Sequence, residues 1–164
     1  MIFRRRAASR RGATVVEMAV IAPVVFMLLF AIIEYGRFVF VYTTATNAAR
    51  DAARYALAHT NDGTTTSTVL GIVDAKMGGT QNMLGSFTRV VIYADPTALA
   101  GSPPVIQDYA TNPAPDGWQK TPFPDCIAVV VTFNYYPVFA QFLNTGTGFV
   151  PVKVTSVMTS EGSG

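Results

Sequence analysis

The sequence predicts an α+β protein: a long N-terminal transmembrane helix extending into a small extracytoplasmic domain with about three antiparallel strands and one short helix. Three observations carry that prediction. The first is an uncharged apolar run, Met18–Ile33, with a cluster of arginines ahead of it and an alanine-rich, helix-favouring stretch behind it. The second is a pair of alternating segments, Cys126–Tyr135 and Val150–Thr159, joined by Phe87–Ala94 as a further strand. The third is a short helix signal. Thr64 to Ser67 supply capping chemistry, Val69, Ile72, Val73 and Lys76 are helically spaced through Met77, and Gly78-Gly79 stops the pattern.

The chain of 164 residues has room for one membrane helix and one small domain, with no second catalytic domain. Half of the residues are hydrophobic and 13% are charged, a lopsided balance for a soluble protein of this size. The formal charge of +2 conceals an asymmetry. Five basic residues, Arg4, Arg5, Arg6, Arg10 and Arg11, stand at the N-terminus, and all ten acidic residues follow them. Taking those five positive charges from +2 leaves −3 for everything beyond Gly12. An acidic remainder has no electrostatic footprint for nucleic acid. The arginines read as a topology signal instead.

Ala13 to Ile33 is 21 residues, a helix of about 32 Å against a hydrocarbon layer of about 30 Å. Glu17 then lies near one edge of that layer, with Glu34 and Arg37 at the other. Tyr35, Phe38, Phe40 and Tyr42 set aromatic rings near the far interface. The leader arginines predict a cytoplasmic N-terminus, with everything after Arg37 on the opposite side, which in a bacterium is the periplasm. A cleaved secretory signal would need a shorter apolar core and a small-x-small site followed by polar sequence. A plain signal anchor fits the length but leaves the residues around Gly12 unexplained.

The string Arg10-Arg11-Gly12-Ala13-Thr14-Val15-Val16-Glu17 resembles the cleavage signature of type IV pilins and pseudopilins. The continuation is similar to the TadE-like family: Glu17-Met18-Ala19, Pro23, Ile33-Glu34-Tyr35-Gly36-Arg37, and Asn47-Ala48-Ala49-Arg50-Asp51-Ala52-Ala53-Arg54-Tyr55. The resemblance spans about residues 10 to 56. It implies a minor pilin or pseudopilin of a tight-adherence (Tad, type IVc) pilus system, acting in pilus assembly, adhesion or secretion. It also implies a cut by prepilin peptidase between Gly12 and Ala13, and pairing of the new Ala13 amine with a neighbouring subunit's Glu17. The implied partners are the inner membrane, prepilin peptidase, other pilins and pseudopilins, and the Tad assembly platform. The implied location is the bacterial inner membrane, single-pass, with the C-terminal domain periplasmic, or an extracellular pilus. A permanently anchored periplasmic assembly or binding module is the alternative.

Physical chemistry marks two of the same positions. A carboxylate inside a membrane helix costs about 2.5–3.5 kcal/mol, so Glu17 must snorkel to the interface, be protonated or have a partner. Pro23 removes a backbone donor and crowds the carbonyl of Ala19. It predicts a packing kink, or a segment that melts during extraction from the bilayer.

Beyond the membrane, Ala45, Ala49 and Ala53 repeat every four residues, as do Ala48, Ala52 and Ala56. Adjoining ridges of small residues let another backbone approach closely. Two partners fit them: the chain's own domain, or a neighbouring subunit's helix. Arg50 and Arg54 belong to the same packing stretch, and Asp51–Arg54 is an i,i+3 pair. His59, Asn61, Asp62 and Gly63 end the helix.

The predicted organisation is therefore a basic leader (1–12), a transmembrane and extended helix (13–59) and an extracytoplasmic α+β domain (60–164). A loop at 95–125 holds seven of the ten prolines, with Tyr109, Trp118 and Phe123 as contact-surface or packing aromatics. In the segment 137–149, Phe139, Phe142 and Leu143 are core candidates. Cys126 is the single cysteine, either a buried inert thiol or one half of an intermolecular disulfide. No catalytic constellation is present: Gly146-Thr147-Gly148 lacks the lysine of a phosphate loop, and no cofactor or metal is implied. The chain reads as a peptidase's substrate rather than as an enzyme.

Overall fold

A computed structural model describes residues 11–94, 118, 126–138 and 148–159. Helix α1, Arg11–Ala58, contains 48 residues, a rod of about 72 Å. Its two halves live in different surroundings. From Val15 to Ile33 the large apolar side chains are exposed. The most apolar 18-residue window has a mean hydropathy of 2.6 and is 0% buried. No described residue buries this surface, and its length fits a bilayer, so it is a candidate single-pass membrane anchor. The helix runs through Pro23 without interruption.

From Val41 onward α1 joins the core. Ala45, Ala48, Ala49, Ala52, Ala53 and Ala56 are all 0% exposed. On the opposite side of this stretch, Thr43 and Thr46 return their hydroxyls to the carbonyls of Val39 and Tyr42 at 2.9 and 2.8 Å, which satisfies them without a tertiary partner.

The turn after α1 uses the chemistry expected of it. Asn61 and Gly63 adopt positive φ (64° and 83°), and the Asp62 carboxylate accepts the Thr64 amide at 2.8 Å. Asp62 is held below its ordinary pKa by the Thr64 hydroxyl and then by that amide. Helix α2, Thr66–Met77, follows with Thr65 as N-cap. The Thr65 hydroxyl meets Ser67 and Thr68 instead of a backbone amide. Val69, Val73 and Met77 form its buried stripe and Ile72 is half-buried. Gly78, in the left-handed region at φ 57°, closes the helix. A 3-10 turn, Thr80–Met83, then leads into the sheet.

Strands β1 (Gly85–Ala94), β2 (Cys126–Tyr135) and β3 (Val150–Thr159) form an antiparallel sheet in the order β1-β2-β3. Strand β1 starts two residues ahead of the expected Phe87 because a register irregularity between Gly85 and Thr88, with Ser86 at φ 49°, lets the pairing continue. Ile127, Val129, Val131, Phe133 and Tyr135 are buried in the same core as α1 and α2. The alternate residues Ala128 and Val130 are buried too, with Ile92, in a second cluster. The period-two pattern of β2 therefore marks two apolar faces rather than an apolar and a wet one.

At the start of β3 Val150 is 44% exposed, and the buried residues of the strand are Val152, Val154 and Ser156. Of the two readings of Trp118, contact surface or packing, the structure agrees with packing. Trp118 is a core residue, 1% exposed, whose indole N–H donates to the Thr66 hydroxyl at 2.8 Å. A buried indole needs such an acceptor. Tyr109, Phe123, Phe139, Phe142, Leu143 and the leader arginines Arg4, Arg5, Arg6 and Arg10 lie outside the described residues.

Candidate functional site

The residues singled out from the sequence fall into separate regions along α1. Gly12 and Ala13 occupy its first turn, exposed, and a Cβ added at Gly12 would meet nothing within 4 Å. Glu17, one turn further on, is exposed on the apolar half and makes no ion pair among the described residues. Pro23 is exposed as well. None of these four belongs to the core of the domain.

Ala45, Ala49 and Ala53 lie in that core, on the side of α1 that the sheet and α2 cover. Arg50 and Arg54 are exposed on the other side. The expected Asp51–Arg54 pair does not form. Asp51 reaches Lys76 of α2 at 2.8 Å instead, because α2 packs beside this part of α1 and presents an ammonium. An open groove of about 360 Å³ between the two helices is lined by Asp51, Arg54, Tyr55, Ala58, Ile72 and Lys76. Tyr55 and His59 stack at its end of α1, with centroids 3.8 Å apart.

The best-connected polar cluster lies where α1 passes from its exposed half to its buried half. Arg37 donates from Nε to the Tyr135 hydroxyl at 2.9 Å and from Nη2 to the Tyr136 carbonyl at 2.7 Å. The Tyr135 hydroxyl donates in turn to the Glu34 carboxylate. Arg37 also stands 4.9 Å from the centre of the Tyr135 ring and 3.7 Å from Glu34, while Phe38 meets that ring edge-on at 5.2 Å. Burial raises the Tyr135 phenol above its ordinary pKa, and the Glu34 carboxylate adds to the effect. The arrangement holds the end of β2 against one turn of α1.

Sequence reasoning named Glu34 and Arg37 as interface markers but did not join them to Tyr135. The signal available was the i,i+3 spacing of opposite charges followed by aromatic residues. The partner, 98 residues away, is set by strand pairing that no local pattern reveals. Among the described residues, no group of three or more His, Cys, Asp and Glu side chains could hold a metal ion.

No curated protein and no solved structure matches the chain. Residues 12–54 match the family model described as TadE-like protein; the match lies within α1 and covers its exposed apolar half and the alanine ridges as far as Ala53.

Proposed function

We propose that the chain is a minor pilin-like component of a Tad-type pilus system, cut by prepilin peptidase between Gly12 and Ala13 and acting in pilus assembly, adhesion or secretion. The observation that carries this reading is a coincidence at the start of α1. The family match opens at Gly12, where no described residue crowds the position into glycine. Its φ lies outside the left-handed region and a side chain there would have open space. A residue type that the folded chain does not require points to an outside requirement, and a peptidase that must approach a bare backbone supplies one.

In this reading the five arginines keep the leader cytoplasmic and the domain faces the periplasm. Cleavage leaves a free amine on Ala13, four residues from Glu17. In a low-dielectric layer, an amine of one subunit and a carboxylate of the next relieve each other's desolvation. The chain then acts by assembly and carries no catalytic role. Determining the N-terminus of membrane-extracted protein, with and without prepilin peptidase, tests the reading. Ala13 is expected with the enzyme and Met1 without it. Met1 in peptidase-positive cells overturns it.

One observation favours a second reading, a permanently anchored periplasmic assembly module. Both small-residue ridges are consumed inside the domain, so a neighbouring helix would have to use the exposed half of α1. Shearing cells and probing the released filaments separates the two. Presence in filaments supports the pilin-like subunit; absence, with piliation lost on deletion, supports the assembly module.

A further inference from the structure

We infer that the domain end formed by Tyr136–Val138 and Gly148–Val150 is a second membrane-contacting surface, seated in the interfacial layer of the lipid bilayer around the exit point of α1. The inference rests on α1 spanning the bilayer and is independent of the pilus reading. Three lines of geometry meet here. Residues 12–33 of α1 supply about 33 Å of uncovered apolar helix, enough to fill a hydrocarbon core of about 30 Å. Glu34 and Arg37 therefore stand at its border. Arg37 is four residues past Ile33, about 6 Å along the axis, which lies within a headgroup layer about 5–8 Å deep.

The Arg37 guanidinium is bonded directly to the hydroxyl of Tyr135 and the carbonyl of Tyr136. The end of β2 is thereby fixed at the depth of Arg37. The chemistry exposed there is that of an interfacial anchor. Val138 is 53%, Phe149 48% and Val150 44% exposed, and the Tyr136 and Phe149 rings stand 6.0 Å apart. Met83, 79% exposed, precedes Gly85 by two residues at the same end of the sheet, where Gly85 sits against the Tyr136 ring. Large apolar side chains left in water beside a membrane helix, together with a tyrosine and an arginine, match the belt that rings and guanidinium groups form at headgroup depth.

The surface is read by spin labels on the full chain, one chain per nanodisc of phosphatidylethanolamine and phosphatidylglycerol. Cys126 is 2% exposed, so an introduced thiol takes the label. Phe149→Cys and Val138→Cys probe the patch. Ser67→Cys, exposed in the first turn of α2 beyond the far end of α1, is the aqueous reference. The expected result is a ratio of collisions with oxygen to collisions with a water-soluble nickel chelate several-fold higher at Phe149 than at Ser67. If Phe149→Cys fails to fold, the Val138 label carries the same criterion. Equal ratios at patch and reference overturn the inference. So does protection that arises only with several chains per disc, which would make the surface a contact between copies.

Discussion

Gly85 and Tyr136 pack directly against each other. A Cβ at Gly85 would drive into the Tyr136 ring, and Arg37 holds the Tyr136 backbone in place. Gly85→Ala should therefore cost about 1–3 kcal/mol through overpacking. In a Tyr136→Ala background the same change should be close to neutral. Thermal unfolding of the full chain in micelles measures both, and equal penalties in the two backgrounds would remove the steric explanation. Tyr135 lends itself to a pH test. Its folded pKa is raised above the ordinary 10.0, so the neutral phenol's contribution is whole below pH 10 and is lost as pH rises through the folded value. Tyr135→Phe should lower the midpoint at neutral pH by the equivalent of about 1 kcal/mol. It should also flatten the alkaline decline of stability. An unchanged alkaline slope would show that Tyr135 does not couple folding to protons.

At the scale of elements, α1 has an exposed apolar half and a half packed into the domain, and the second half has a buried face and an exposed one. Ala49 is 0% exposed within the core, so Ala49→Leu should destabilise the domain by about 1–3 kcal/mol. Arg54 is exposed and makes no ion pair among the described residues, so Arg54→Ala should change stability by less than about 0.5 kcal/mol. A loss of piliation in Arg54→Ala with an unchanged midpoint would assign that arginine to another molecule; a falling midpoint would return it to the domain. The elements themselves were largely legible. Apolar length and flanking charge predict α1, β-branched alternation predicts the observed bounds of β2, and paired glycines predict the end of α2. The exceptions have physical causes. Alternation in β2 hides the fact that its second face is also buried, by Ala128 and Val130. Ser156 is inward by register but polar, and Val150 is apolar but lies at the exposed start of β3. Trp118, in a proline-rich stretch, gives no local sign of reaching Thr66, 52 residues away. Of the candidate site, the positions on α1 could be read, whereas the clamp of Glu34, Arg37 and Tyr135 could not, since only the fold brings β2 to that turn.

For the whole molecule, the boundary between membrane part and domain falls inside a helix, not at its end. Val41 and the six alanines of α1 from Ala45 to Ala56 are buried against Val69, Val73, Met77, Val129 and Val131. Removing that stretch would expose those five partners, each worth about 1.5–3 kcal/mol when fully buried. The sum, about 7.5–15 kcal/mol, is as large as the 5–15 kcal/mol by which a domain of this kind is stable. A chain beginning at residue 60 should therefore lack a cooperative unfolding transition. A chain beginning at Glu34 keeps the alanine ridges, the Arg37 bonds and the Glu34–Tyr135 contact, and it loses the apolar surface from Val15 to Ile33. It should fold in aqueous buffer without detergent, unfold in one transition, and retain the Tyr135 alkaline response. Circular dichroism melts of the two truncations decide the matter. A folded chain from residue 60 would show that the second half of α1 is a tether, whereas folding only from Glu34 would make the helix a shared beam, with its first half reserved for lipid or neighbouring subunits and its second half part of the domain's core.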